Sequence, residues 1–169
     1  FSSGLIQRAN LDGTNVEDLV TEGFLPEGIA LDVNNEKMYW VDKISNNIRQ
    51  ANLDGSDVTE IVSDIENPVD VVINTNTMTL YWLDVGRSGA SGKLQGADAD
   101  GSNVQDLATE LDNPVGLALN PGDGSLLWTD DQYSAPAYIA RVNPDGSDEQ
   151  VILTELSGFR NLRIEQNQE

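Results

Sequence analysis

The chain contains no cysteine and no histidine. Without cysteine it has neither a disulfide framework nor a thiolate metal site. Without histidine, a His-based catalytic triad, a His-ligated zinc and a histidine pH switch are all excluded within it. Basic residues are scarce as well: 9 Lys and Arg stand against 29 Asp and Glu, a net charge of −20 over 169 residues. Phosphate binding needs clustered Lys and Arg, so nucleic acid and anionic membranes are poor partners. Cations and basic patches on other proteins are favoured, although such acids also serve simply to keep β-rich edges in solution. No apolar run approaches the roughly 20 residues that cross a membrane. No segment sustains helical periodicity, and no Asn-x-Ser/Thr acceptor occurs, so N-glycosylation is not expected. The chain opens on Phe1-Ser2-Ser3-Gly4, without an initiator Met or a signal peptide, and is expected to be a processed product or a fragment.

What the sequence does hold is a repeat. Met38-Tyr39-Trp40-Val41-Asp42 returns as Leu80-Tyr81-Trp82-Leu83-Asp84 and as Leu126-Leu127-Trp128-Thr129-Asp130, with the aspartates 42 and 46 residues apart. All three tryptophans lie in these motifs. A period of roughly 40–45 residues with several short strands per unit points to a propeller blade. Successive residues of a strand face opposite ways, so Tyr39 and Val41 oppose Met38 and Trp40, and the sheet is expected to be covered on both faces.

After each Tyr-Trp strand comes a hairpin around Asp54-Gly55, Asp100-Gly101 or Asp145-Gly146, and an Asp12-Gly13 hairpin precedes them all. Gly supplies positive φ there and Asp tolerates it. Acidic connectors lead to compact strands that open on Pro26, Pro68 and Pro114, where proline costs no ladder hydrogen bond. Small residues at their centres (Gly28, Ala30, Gly116, Ala118) suit a crowded place near an axis. The expected fold is all-β, with complete four-stranded blades near 26–62, 68–108 and 114–153. Partial blades fall at 5–20 and 159–165, all within one domain over 1–169.

Tyr-Trp-x-Asp, preceded by Pro26-Glu27-Gly28-Ile29-Ala30-Leu31-Asp32 and followed by Ile48-Arg49-Gln50-Ala51-Asn52-Leu53-Asp54-Gly55, resembles the YWTD repeats (class B repeats) of the low-density lipoprotein receptor family. The likeness runs from Leu5 to about Ile164. Leu127 replaces Tyr in the third motif and only Thr129 keeps the Thr. Arg8 and Arg141 hold the family's Arg position, whereas Gln50 and Gly96 depart from it. The resemblance implies a six-bladed propeller outside the cell that binds other macromolecules and catalyses nothing. The strands number fifteen, counting one around Leu162-Arg163-Ile164, short of the roughly 24 that six four-stranded blades need. An open arc leaves apolar faces in water, so a second chain (a homo-oligomer or a remaining fragment) is expected to close the ring. A closed four-bladed ring is the weaker option, because it lacks one Tyr-Trp strand.

Loops between second and third strands and between blades emerge on one face of a propeller, and recognition concentrates on such loops. The ligand-binding candidates there are Phe24, Glu27, Asp70, Arg87, Tyr133, Tyr138 and Phe159, an acidic site with aromatic anchors. Ordinary solvated loops are the competing account of each. The motif residues Tyr39, Trp40, Asp42, Tyr81, Trp82, Asp84, Trp128, Asp130 and Arg141 are assigned to structure. In that reading each aspartate accepts loop N–H groups or pairs with an Arg on the next strand, Arg141 with Asp130. Asp98 to Asn103 and Asn143 to Asp148 weakly resemble calcium loops, but the ligand spacing is wrong. No cofactor or metal is therefore expected, calcium being the one ion left open. The functional expectation is a non-enzymatic, secreted binding module that engages a protein or peptide through its acidic face. A lectin with sugar sites between blades is the alternative, and a calcium-dependent hydrolase or lyase comes third.

Overall fold

The computed structural model of the chain describes residues 4–21, 25–87, 90–131, 136–156 and 162–164, and every regular element in them is a β-strand. β1 (Ile6–Arg8) and β2 (Glu17–Val20) form a two-stranded hairpin. Three four-stranded antiparallel meanders follow. The first contains β3 (Pro26–Asp32), β4 (Lys37–Asp42), β5 (Asn47–Asn52) and β6 (Thr59–Val62). The second contains β7 (Pro68–Asn74), β8 (Thr79–Asp84), β9 (Gly92–Asp98) and β10 (Gln105–Leu111). The third contains β11 (Pro114–Leu119), β12 (Leu126–Asp130), β13 (Ala137–Val142) and β14 (Gln150–Leu156). Strands pair in sequence order, so each sheet is a propeller blade whose innermost strand touches that of the next, β3 on β7 and β7 on β11. The all-β propeller, with three complete blades and a partial one ahead of them, is what the repeat leads one to expect; the strand expected at 159–165 is not seen in its described part. Leu162, Arg163 and Ile164 belong to no strand.

The hairpins follow from their turn residues. In each, the Gly N–H closes a turn on the carbonyl three residues back, Gly55 to Asn52 at 2.9 Å and Gly101 to Asp98 at 2.8 Å. Gly13, Gly55, Gly101 and Gly146 all have φ between 81° and 86°. The result is a three-residue loop ending in a left-handed glycine rather than a two-residue turn. The aspartate before each glycine accepts the backbone N–H and hydroxyl of the Ser or Thr after it, as Asp54 does from Ser56 at 2.9 and 2.6 Å.

The blades stack through the tryptophans. Trp40 packs with Ile6 and Val20 of the hairpin in front, Trp82 with Ile48 and Val62, and Trp128 with Leu94 and Ala108. All three indoles occupy equivalent, fully buried positions. A buried side chain of this size supplies a large share of the apolar burial at each blade junction. The other face of the same strands buries Tyr39 and Val41, then Tyr81 and Leu83, against the following blade.

Candidate functional site

The aspartate that ends each Tyr-Trp strand organises the loop face. Asp84 accepts the N–H groups of Asn67 (2.8 Å), Gly86 (2.9 Å) and Glu66 (3.0 Å). Asp130 accepts those of Asn113 (2.9 Å) and Asp112 (3.0 Å), and Asp42 those of Ile44 (2.9 Å) and Ser45 (3.0 Å). All three carboxylates are buried and offset lost hydration with backbone N–H groups: Asp84 orders both a connector and a loop, Asp130 a connector, and Asp42 the loop that follows it. Arg141 does not pair with Asp130, contrary to the sequence-based expectation. It donates to Asp123 at 3.1 Å, in the turn that precedes β12. The reason is register: Arg141 lies opposite Leu127, near the start of β12, whereas Asp130 ends that strand and faces Tyr138.

The candidates fall in separate places. Tyr138 is half-buried and donates its hydroxyl to Asp130 at 3.1 Å. Burial first, and then the Asp130 charge, push its pKa well above the ordinary tyrosine value. Asp70, on the innermost strand β7, accepts the N–H of Leu117 at 2.9 Å in the next blade and of Val71 at 2.9 Å in its own. Burial raises its pKa, opposed by those hydrogen bonds and by the charge of Arg163. Glu27 is exposed and pairs with Lys43 at 2.9 Å. Phe24, Tyr133 and Phe159 lie outside the described residues.

Arg87 is the candidate that lines a cavity. A cleft of about 1030 Å³ opens between the loops of neighbouring blades, with Lys43, Asn46, Glu66, Arg87, Glu110 and Asp112 on its walls. Arg87 is held from three directions: its N–H donates to the Glu66 carboxylate at 3.0 Å, its Nε to the Glu66 carbonyl at 3.4 Å, and its Nη2 to the Asn46 side chain at 2.8 Å. Asn46 in turn donates to the Glu66 carbonyl at 3.0 Å. Sequence reading misses Asn46. The signal available for it is an asparagine in a loop, the residue type that tolerates the left-handed φ of 55° found there.

Glu110, on the opposite wall, is exposed at a φ of 62°. An exposed cation flanked by carboxylates suits polar recognition. Among the described residues no three acidic side chains are grouped to hold a metal ion.

No family profile and no curated protein matches the sequence. Solved structures do. A chain of the crystal structure of a nidogen/laminin complex superposes with a TM-score of 0.84 at 26% identity, over 95% of this chain and 60% of that one. The chain has the fold of a YWTD-type β-propeller. More distant propellers share the fold alone. A gluconolactonase from Xanthomonas campestris matches at a TM-score of 0.76 and 18% identity, over 95% of this chain and 59% of that chain. A putative TolB from Agrobacterium tumefaciens matches at 0.73 and 10%, over 95% and 61%. This chain therefore spans about three-fifths of the length of each of these three chains.

Proposed function

We propose that this propeller is a non-enzymatic, extracellular binding module that recognises a protein or peptide on its loop face. The observation that carries the reading is the cleft around Arg87, a polar cavity assembled from the loops of adjacent blades with the Arg87 guanidinium bonded to the Asn46 side chain and the Glu66 carbonyl. Such a site binds without first having to order its own side chains. The likeness to a chain crystallised in a nidogen/laminin complex supports a protein partner and a place outside the cell. Among the described residues no helix is long and apolar enough to cross a membrane. Glu66, Glu110 and Asp112 favour a ligand that presents a basic side chain, with an acceptor placed for Arg87.

The test is selection of binders from a random peptide library on the whole chain, followed by titration against Arg87→Glu and Glu110→Lys variants. Selected peptides rich in Lys or Arg that lose binding to either variant support the reading. Peptides that bind both variants as they bind the parent reject it. Binding on a glycan array that Arg87→Glu abolishes replaces it with the lectin reading.

A further inference from the structure

Three of the four repeated units hold a cation of their own beside the Asp-Gly hairpin. In the β1–β2 hairpin Arg8 donates to Glu17 at 2.7 Å and to the Leu53 carbonyl of the next hairpin at 3.2 Å. In the β3–β6 blade Lys37 donates to Asn52 at 2.6 Å, and in the β11–β14 blade Arg141 donates to Asp123 at 3.1 Å. The β7–β10 blade has no cation at these positions. Gly96 stands where the other units have Arg8, Gln50 and Arg141, and Thr79 stands where the first blade has Lys37. The Tyr81 ring leans over Gly96 so closely that a Cβ there falls 3.0 Å from it.

A cleft of about 360 Å³ lies between this blade and the hairpin of the next, within the size range of small-ligand cavities. Gln105, Thr77 and Pro144 are on its walls, and they match the places from which other units hold their cations. Gln105 lies opposite Gly96 as Glu17 lies opposite Arg8. Thr77 stands three residues before Leu80, as Asp123 stands three before Leu126. Pro144 is the residue of the following hairpin that corresponds to Leu53.

The charge of the cleft is inverted as well. Asp98 and Asp145 line it, and among the described residues no Lys or Arg does. Asp98 departs from the repeat, which has Asn10, Asn52 and Asn143 at that position. Its Oδ2 accepts the Asn103 amide at 2.6 Å and the Ser102 hydroxyl at 3.3 Å, while among the described residues Oδ1 accepts no hydrogen bond. This blade has thus lost the repeat's cation and gained a carboxylate in the same place.

We propose that this cleft binds the guanidinium of an arginine side chain presented by a partner peptide. A guanidinium brings a fork of five N–H donors and no acceptor. The carboxylates of Asp98 and Asp145, the Thr77 hydroxyl and the Gln105 amide oxygen are acceptors for it. Free arginine would carry its own carboxylate into a cleft lined by carboxylates, which favours the peptide-borne side chain. Thr79, in the cleft, starts β8 and Asp84 ends it on the loop face, roughly 17 Å away at the usual rise per residue. The site is therefore separate from the Arg87 cleft and holds whatever the loop face binds.

The test follows the backbone amides of the whole chain by NMR as N-acetyl-arginine methylamide is added. The matching citrulline compound, which keeps the shape without the charge, and free arginine are the controls. Saturable shifts at Thr77, Thr79, Asp98 and Asn103 are expected with the arginine probe and not with the citrulline probe. Asp98→Asn restores the residue of the other hairpins, and Gln105→Lys places an ammonium in the cleft from an exposed position. Each is expected to weaken the probe about tenfold or more with Tm unchanged, as loss of a charge-assisted contact does. Glu110→Lys, on the loop face, is expected to leave these shifts as they are, so failure of the Arg87 cleft reads out separately. Absence of the shifts, equal binding of the citrulline probe, or affinity unchanged in Asp98→Asn and Gln105→Lys overturns the proposal. Free arginine that binds more tightly than the blocked probe gives the cleft to a small molecule and overturns the peptide assignment.

Discussion

The Asp70 carboxylate joins two blades: Oδ2 accepts the Leu117 N–H of β11 at 2.9 Å while Oδ1 accepts the Val71 N–H at 2.9 Å. On its other side Gly28 of β3 lies so close that a Cβ there falls 2.6 Å from the Asp70 Cα. Three innermost strands thus meet at one residue, with Oδ2 bridging to the next blade and Oδ1 turned back on its own strand. A hydrogen bond to an ionised group is worth about 1.5–3 kcal/mol. Asp70→Ala is expected to cost about 2 kcal/mol in urea unfolding. Asp70→Asn, which keeps one acceptor, is expected to cost about 1 kcal/mol. A loss below about 0.5 kcal/mol for the alanine variant rejects the bridging role.

Gly101 and Gly13 occupy the same turn position with nearly the same φ, 86° and 81°, but in different surroundings. Gly101 abuts the Ile61 carbonyl of the preceding blade, whereas Gly13 meets nothing within 4 Å among the described residues. Gly13→Ala is expected to cost only the left-handed penalty, about 1–2 kcal/mol. Gly101→Ala adds a backbone collision at the blade junction and is expected to cost about 2 kcal/mol more. Equal Tm losses in the two variants refute the seating of the turn on its neighbour.

The repeat, the hairpins and the all-β fold were legible because each rests on local chemistry. One tryptophan recurs in each repeat, Asp-Gly recurs at every outer turn, and proline opens each inner strand. The partners of individual side chains were not legible, because they depend on strand register and on contacts between blades. Arg141 was matched with Asp130 by proximity in the repeat, but a strand's length separates them and Asp123 is the carboxylate within reach. Asp70 reads as an acid on a binding face, and only its place on the innermost strand reveals the Leu117 N–H beside it. The Arg87 cleft was half visible. Arg87 was named among the loop candidates, but Asn46 sits 41 residues earlier and joins it only once the blades stack.

Arg87 separates binding from stability. It is exposed, and its bonds to Glu66 and Asn46 lie at the surface, where such pairs contribute about 0–1 kcal/mol. Arg87→Ala is therefore expected to change unfolding free energy by less than about 1 kcal/mol. The same substitution is expected to weaken a selected peptide ligand about tenfold or more, as loss of a charged anchor does. Isothermal titration together with urea unfolding reads both quantities. Affinity that is unchanged alongside a stability loss beyond about 2 kcal/mol assigns Arg87 to the scaffold instead.

Acid titration distinguishes the turn aspartates from Asp70 by sign. Hydrogen bonds from the Ser56 hydroxyl and backbone N–H hold Asp54 below its ordinary 3.8, and Ser102 and Ser147 do the same for Asp100 and Asp145. A folded pKa below the unfolded one means that stability is present above about 3.8 and is lost as pH falls through the lowered folded values. Asp70 is shifted upward, mainly by burial, so its contribution runs the other way: it is present below 3.8 and lost as pH rises through the raised value. Carboxyl NMR is therefore expected to place the Asp54 midpoint below 3.8 and the Asp70 midpoint above it. Ser56→Ala moves the Asp54 midpoint upward and makes stability fall less steeply below pH 3.8. Asp70→Asn removes the opposing slope above 3.8 and leaves the acid limb unchanged. An Asp70 midpoint at or below that of Asp54 contradicts the buried, blade-bridging placement.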